Sequence, residues 1–326
     1  MAKEVMQLKV DRCAKTLFAI KKEIAKVVIG QEEPIDALLS SILADGHTLV
    51  EGIPGIAKTL LVRAMGKVTG CETKRIQFTV DLLPTDILGI TTYTKEKGFE
   101  VVKGPIFANF LIGDEINRSP PKTQSALLEA MQERQVTIGK ETFQLPAPFF
   151  VMATQNPIET AGVYTLPEAQ VDRFLLKILM DYPKPGEEQK VLRTNMTLRK
   201  FDEFDLKSLT NSEEIIEMQK IVKNIYTSKA VEEYIIRIVD LTRHPKGLTN
   251  GKYIEWGGSP RASIGLYITS KARALMQGST FVTPQHVKDV AYNVLRHRIL
   301  LNYEGQADNI KSESIISEIL AKVPVP

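Results

Sequence analysis

Little in this sequence offers redox or metal chemistry. It holds two cysteines, Cys13 and Cys71, with no Cys-x-x-Cys pair and no histidine cluster beside them. Neither a disulfide framework nor a zinc site is indicated, and both read as small apolar residues. Apolar runs such as Phe174-Leu175-Leu176 stop at Lys177, far short of the roughly 20 residues that cross a bilayer, so no membrane insertion is expected. The opening Met1-Ala2-Lys3-Glu4-Val5 carries both signs of charge and leads into no cleavable apolar segment. No signal peptide is read, and a cytoplasmic location is expected. An excess of charge is also missing: 42 basic residues against 39 acidic leave +3, which argues against a dedicated nucleic-acid binder. Internal repeats and low-complexity tracts are not visible.

What is present is the composition of a soluble globular protein, 43% hydrophobic and 25% charged over 326 residues, long enough for one large or two modest domains. Residues 1–30 place apolar side chains at helical spacing (Val10, Leu17, Ile20, Ile24, Val27, Val28) and lead into Ile29-Gly30-Gln31. A second helix is expected over 34–44, then a strand at Thr48-Leu49-Val50 that stops at Glu51-Gly52. Buried strands are expected at 75–78, 110–112, 149–153 and 174–180, with helices at 58–68 and 122–134 between them. Alternating strands and helices imply a doubly wound parallel sheet, an α/β core. The run Pro183-Lys184-Pro185-Gly186 breaks the pattern. Beyond it nearly everything reads as helix, including 187–198, 212–225, 229–241, 261–276 and 284–298. The core is therefore assigned to 1–183 and a C-terminal all-helical domain to 184–326.

Gly52-Ile53-Pro54-Gly55-Ile56-Ala57-Lys58-Thr59, followed by Leu60, lies between a strand and a helix, the context of a phosphate-binding loop. Glycines let the backbone curl its N–H groups inward, and the helix N-terminus favours an anion. Lys58 is placed to reach β- and γ-phosphates and Thr59 to ligate Mg²⁺. Ala57 stands where a glycine is usual; it keeps the N–H donor, and a negative φ is expected for a residue entering a helix.

Phe110-Leu111-Ile112-Gly113-Asp114-Glu115 is an apolar strand ending in two carboxylates. Asp114 at the strand's carboxyl end would hold the Mg²⁺ shell and Glu115 would polarise an attacking water. Neighbours on a strand face opposite ways, so both serve one site only if the chain bends there; Asn117 and Pro120-Pro121 suit such an ending. Read alone, the pair could equally be a solvated acidic start to the next helix.

The stretch Gly-Asp-Glu-Ile-Asn-Arg-Ser-Pro-Pro-Lys-Thr-Gln-Ser-Ala-Leu-Leu-Glu-Ala-Met-Gln-Glu at 113–133 strongly resembles the MoxR family of AAA+ ATPases, in the helix-2-insert group. Ala153-Thr-Gln-Asn-Pro157, Leu166-Pro-Glu-Ala-Gln-Val-Asp-Arg-Phe174 and Gly258-Ser-Pro-Arg261 also look like that family's motifs, in its order. The family's phosphate loop often carries alanine at the position of Ala57. The resemblance makes Lys58 and Asp114 the Walker A lysine and Walker B aspartate. Asn156 becomes the sensor 1 residue, otherwise a turn asparagine before Pro157. Arg261 becomes sensor 2, a lid arginine reaching back to the phosphates of its own subunit, otherwise a solvated surface arginine. Arg173 becomes the arginine finger given to a neighbouring subunit, otherwise half of a surface pair with Asp172. Base selectivity would rest on backbone near Ile29-Gly30. The helix-2 insert would occupy residues 81–107, and the alternating residues 135–143 around a Gly-Lys turn resemble the pre-sensor-1 hairpin.

By the same resemblance the chain is an ATPase using ATP and Mg²⁺, assembled in a ring, taken as a hexamer. Its chaperone-like work would be remodelling, maturation or metal loading of a protein client, with von Willebrand factor A-type domain proteins as candidates. The alternative is a nucleic-acid motor or a magnesium-chelatase-like subunit, against which the near-neutral charge counts.

Overall fold

Phe110–Asp114 is buried at every position and Phe150–Gln155 at all but its last. Strands with no solvent face belong inside a sheet covered on both sides. The computed structural model describes residues 2–53, 55–96, 98–157, 162–194 and 201–326. Helices α1 (Ala2–Ile24) and α2 (Glu32–Leu43) precede β1 (Thr48–Gly52), α3 (Lys58–Thr69) and β2 (Thr73–Gln77). An insertion follows, made of α4 (Pro84–Leu88) and a hairpin of β3 (Gly89–Thr94) and β4 (Gly98–Lys103). Next come β5 (Phe110–Asp114), α5 (Pro121–Glu133) and a second hairpin of β6 (Gln135–Ile138) and β7 (Glu141–Gln144). The core ends with β8 (Phe150–Gln155), α6 (Glu168–Val171) and β9 (Leu176–Met180).

The sheet is followed by α7 (Pro185–Thr194), α8 (Ser212–Asn224) and α9 (Lys229–Arg243). After β10 (Ile254–Trp256) the chain continues with α10 (Pro260–Met276) and α11 (Pro284–Leu295), then β11 (Leu300–Leu301), α12 (Tyr303–Ala307) and α13 (Ser312–Lys322).

The central sheet is parallel with order β2-β5-β8-β1-β9. The connections reverse direction at β1, and in such sheets ligands bind outside the carboxyl ends of the strands at that switch. The carboxyl edge carries Gly52, Gln77, Asp114 and Gln155, and the amino edge carries Thr48, Thr73, Phe110, Phe150 and Leu176. A five-residue strand separates the two edges by roughly 16 Å. One face of the sheet packs on α1, α2, α3 and the lid, through residues such as Ile20, Leu38, Met65 and Leu266. The other packs on α5 and the two hairpins, through Phe78, Ile87, Leu127 and Val136. Among the described residues no helix is long and apolar enough to cross a membrane.

The expected parallel sheet and helical lid are both present, with differences at element ends. Helix α2 starts at Glu32 rather than 34, within the ordinary uncertainty of helix ends. Of the helix expected at 187–198, the described part is α7, and residues 195–200 lie outside the described ones. The helix expected to run to 298 stops at Leu295, and His297 and Arg298 turn into the core instead, 6% and 5% exposed. The β10–β11 ribbon, α12 and α13 are additions to the expected lid.

Candidate functional site

The loop after β1 is held by its smallest and its most apolar members. A Cβ on Gly52 would lie 2.7 Å from both the Ile56 side chain and the Met180 carbonyl, so only glycine lets the loop close there. Ile56 is 6% exposed and anchors the loop in the core. Gly55 has φ +86 and Ala57 φ +65, both left-handed, a curl that turns successive N–H groups to one side. The expected negative φ at Ala57 is thus corrected. Ala57 caps α3 in the left-handed region, a conformation costing alanine roughly 1–2 kcal/mol. That cost explains why glycine is usual at this position. Pro54 lies outside the described residues. Lys58 Nζ donates to the Gly52 carbonyl at 2.7 Å, which folds the ammonium back over the loop.

Asp114, 5% exposed, is gripped from three sides. Its Oδ2 accepts from Thr59 Oγ1 at 3.0 Å and from Arg75 Nε at 2.6 Å, and its Oδ1 accepts from Thr154 Oγ1 at 3.2 Å. Glu115 has φ +59. The bend the sequence required is therefore located at Glu115 itself, and it turns the second carboxylate to the same edge as the first. Its N–H donates to Thr154 Oγ1 at 3.0 Å. Its Oε2 accepts from Gln77 Nε2 at 2.7 Å and pairs with Arg118 Nε at 3.2 Å. Asn156, 4% exposed, lies just past the end of β8. Together with Lys58, Thr59, Leu60, Asp114 and Glu115 it lines a cleft of about 370 Å³, large enough for a small ligand. A hydroxyl and a carboxylate 3.0 Å apart are hard oxygen donors of the kind Mg²⁺ takes beside phosphate and water, so Thr59 and Asp114 fit that ion.

Arg75, Gln77 and Thr154 also line this cleft and were not singled out by sequence. The available signal was weak: polar residues alternating around buried Ile76 on a strand whose register sets Gln77 opposite Asp114. Ile29 and Gly30 do not line the cleft. Gly30 has φ +74, and a Cβ there would meet Glu187 Oε2 at 2.7 Å, so this segment sits at the junction of core and lid. Gln31 Nε2 donates to the Asp181 carbonyl there at 3.0 Å.

Arg173 and Arg261 are elsewhere. Both line a second cleft, of about 280 Å³, with His47, Arg134 and Arg298. That cleft lies at the amino edge of the sheet, where His47 precedes β1 and Leu175 precedes β9. His47 is held there on both nitrogens: Val151 N donates to Nδ1 at 3.1 Å, and Nε2 donates to the Met131 carbonyl at 3.0 Å. Burial, with the Arg134 charge second, lowers its pKa to about 3, so the imidazole is neutral.

Arg261, expected at its own subunit's phosphates, does not line the cleft of Lys58 and Asp114 in this structure. Arg261 heads α10, and its Nη2 donates to Gln132 Oε1 at 3.1 Å while Nη1 lies 3.8 Å from Asp172 Oδ2. The anion that offsets a cation at this helix N-terminus is Asp172. Ser259, the N-cap, accepts from Arg261 N at 3.2 Å and donates to the same Oδ2 at 2.9 Å.

Comparison with known proteins matches separate segments of the core and of the C-terminal helical part. Residues 47–176 match the family model described as ATPase family associated with various cellular activities (AAA), and residues 248–319 match the AAA lid domain. The chain is 44% identical to the chaperone MoxR1 of Mycobacterium tuberculosis, over 93% of this chain and 81% of that one. It is 43% identical to the protein YeaC of Bacillus subtilis, over 94% and 93%, and 30% identical to the protein MoxR of Paracoccus denitrificans, over 92% and 93%. A crystal structure of a candidate ATPase from Cytophaga hutchinsonii superposes with a TM-score of 0.93 at 43% identity, covering 100% of this chain and 99% of that one.

Proposed function

The chain belongs to the MoxR chaperones of the AAA ATPase family, and from that premise we propose that it hydrolyses ATP between the subunits of a ring and uses the motion to remodel a protein client. The observation that carries this reading is the separation of the charged groups. Lys58, Thr59, Asp114, Glu115 and Asn156 line one cleft at the carboxyl edge, while Arg173 and Arg261 line another at the amino edge. Arginines at the edge opposite their own subunit's cleft support action on a neighbour, and a head-to-tail ring could set one subunit's amino edge against the next one's cleft.

In this reading the loop N–H groups and Lys58 bind the phosphates, and Thr59 and Asp114 hold Mg²⁺, which when bound neutralises phosphate charge. Glu115 takes the proton of the attacking water and Asn156 orients that water. Arg173, and with it Arg261, stabilises the charge developing on the neighbour's γ-phosphoryl group. Residues 1–183 form the nucleotide-binding core and 184–326 the lid that moves with turnover.

The two hairpins are the client-facing elements. Tyr93 and Phe99 are 65% and 80% exposed and pack against each other on the first, with tilted rings 5.2 Å apart. Phe143 on the second packs edge-on to Phe107, with Lys103 over both rings. A ring of six in the cytoplasm, with clients bearing von Willebrand factor A-type domains that undergo maturation or metal loading, completes the proposal. The test is ATPase activity per subunit against protein concentration, with sedimentation in parallel. Activity should rise as rings form, and mixing Arg173→Ala with Glu115→Gln, each inactive alone, should restore part of it. Constant turnover by a sedimenting monomer overturns the reading.

A further inference from the structure

Arg298 lies just beyond α11, and its side chain is 2% exposed. All five of its guanidinium N–H groups have acceptors, the full complement of that group. Nε donates to Asp172 Oδ1 at 2.8 Å, Nη2 to the carbonyls of Asp172 at 3.2 Å and Phe174 at 2.7 Å, and Nη1 to those of Leu175 at 3.1 Å and Val294. The neighbouring His297 donates from Nε2 to the same Phe174 carbonyl at 3.1 Å. Three of these acceptors immediately flank Arg173: the Asp172 side chain and carbonyl before it, and the Phe174 carbonyl after it. The far oxygen of Asp172 holds Ser259 at 2.9 Å and lies 3.8 Å from Arg261. One carboxylate therefore joins the segment carrying Arg173, the cap of the helix carrying Arg261 and the end of α11.

We propose that Asp172 and Arg298 are positioning residues that lock Arg173 and Arg261 into one rigid pair and tie that pair to the lid; this rests on the trans role proposed above. An ion pair whose guanidinium is buried is a poor device for stability alone, because desolvation of that cation offsets much of the attraction. Five directed bonds from a planar group, however, fix orientation in a way a lysine ammonium cannot reproduce. Because α11 leads directly into the groups that hold both sides of Arg173, a lid rotation moves the arginine pair with it. Hydrolysis in one subunit is thereby coupled to what that subunit offers its neighbour.

The experiment compares Asp172→Asn and Arg298→Lys with Arg173→Ala in assembled protein. Each positioning variant should lose about 10- to 100-fold in kcat, the effect of misplacing a reacting group by about 1 Å. ATP affinity at its own cleft should stay within about threefold of the parent. Adding Arg298→Lys to an Arg173→Ala, Arg261→Ala double variant should cost nothing further, since it acts through those two arginines. Asp172→Asn should also regain activity when mixed with Glu115→Gln, because its defect lies in what it gives the neighbour.

Unchanged kcat, loss of ATP affinity together with turnover, or loss of the parent sedimentation in Asp172→Asn would overturn the proposal. So would a further loss on adding Arg298→Lys to the Arg173→Ala, Arg261→Ala double variant. If Arg298→Lys fails to fold, Asp172→Asn alone decides, since it keeps the shape of the side chain. Parental kcat in Arg173→Ala would instead remove the trans reading itself, an outcome separable from the others.

Discussion

Gln77 Nε2 donates to Glu115 Oε2 at 2.7 Å, and Gln77 Oε1 in turn accepts from Arg75 at 2.8 Å, whose Nε holds Asp114 at 2.6 Å. Strand β2 thus ties together the two carboxylates of the phosphate cleft. That bond occupies Glu115 Oε2, one of the two oxygens that could accept a proton from water. Gln77→Leu, which removes the donor, is expected to raise basal turnover several-fold. Glu115→Gln is expected to bind ATP normally and lose turnover, because an amide is a poor proton acceptor. A kcat for Glu115→Gln within about threefold of the parent would place the base elsewhere.

The phosphate loop separates charge from backbone strain. Lys58→Ala removes the only side-chain cation the loop supplies and is expected to lose ATP affinity by calorimetry at matched Mg²⁺; unchanged affinity would sink the loop assignment. Ala57→Gly keeps the N–H donor and relieves the φ of +65. It is expected to keep ATP affinity and raise unfolding stability by about 0.5–1 kcal/mol. A destabilised Ala57→Gly protein would mean that the left-handed residue is not strained.

These contrasts mark what could be read from sequence. The loop, the Asp114-Glu115 strand end and Asn156 are contiguous motifs whose order along the chain already implies one edge of a parallel sheet. Arg75 and Gln77 were not legible, because they reach the carboxylates through strand register, which spacing alone does not set. Ala57 was misjudged for a local reason: its φ belongs to the curl of the loop and not to the helix it caps. The surroundings of Arg261 were not legible for a distant one. Its position depends on α10 docking at the amino edge through Asp172, which bonds Arg298 across 126 residues.

Acid should weaken the amino edge before it touches the carboxylates. His47 has its pKa lowered to about 3, by burial first and the Arg134 charge second, and His297 is lowered well below the ordinary value, again chiefly by burial. In the unfolded chain both titrate near 6.5. At His47 the unfolded state binds more protons between about 6.5 and 3, so stability is full above 6.5 and falls as pH drops through that window. From pH 7 to 5 the loss is expected to be about 2 kcal/mol for His47, with His297 contributing in the same direction. Urea titrations at both pH values measure it, and His47→Gln should flatten the dependence by its share. Equal stability of the parent at the two pH values would show that these imidazoles are not held neutral.

Arg261 gives the clearest separation between a lid arginine that serves its own subunit and one that serves the next. A residue that reads its own γ-phosphate must, when removed, weaken ATP binding in dilute monomer, and more for ATP than for ADP. The observed partners of Arg261 are Gln132 and Asp172 at the amino edge, and the cleft of Lys58 and Asp114 is lined without it. Arg261→Ala is therefore expected to leave monomer affinity for both nucleotides unchanged and to lower kcat only once rings have formed. Truncating a cationic donor aimed at the transferring phosphoryl group costs about 10³–10⁵ in other systems when it is the principal finger. With Arg173 still in place, the loss for Arg261→Ala should be smaller than for Arg173→Ala. The two variants should also behave as one group in mixing: each restored by Glu115→Gln, neither restored by the other, because both remove charge from the same face of the same subunit. Recovery between Arg173→Ala and Arg261→Ala would require the two arginines to act at different interfaces. A selective loss of ATP over ADP in monomeric Arg261→Ala would return Arg261 to its own subunit's site.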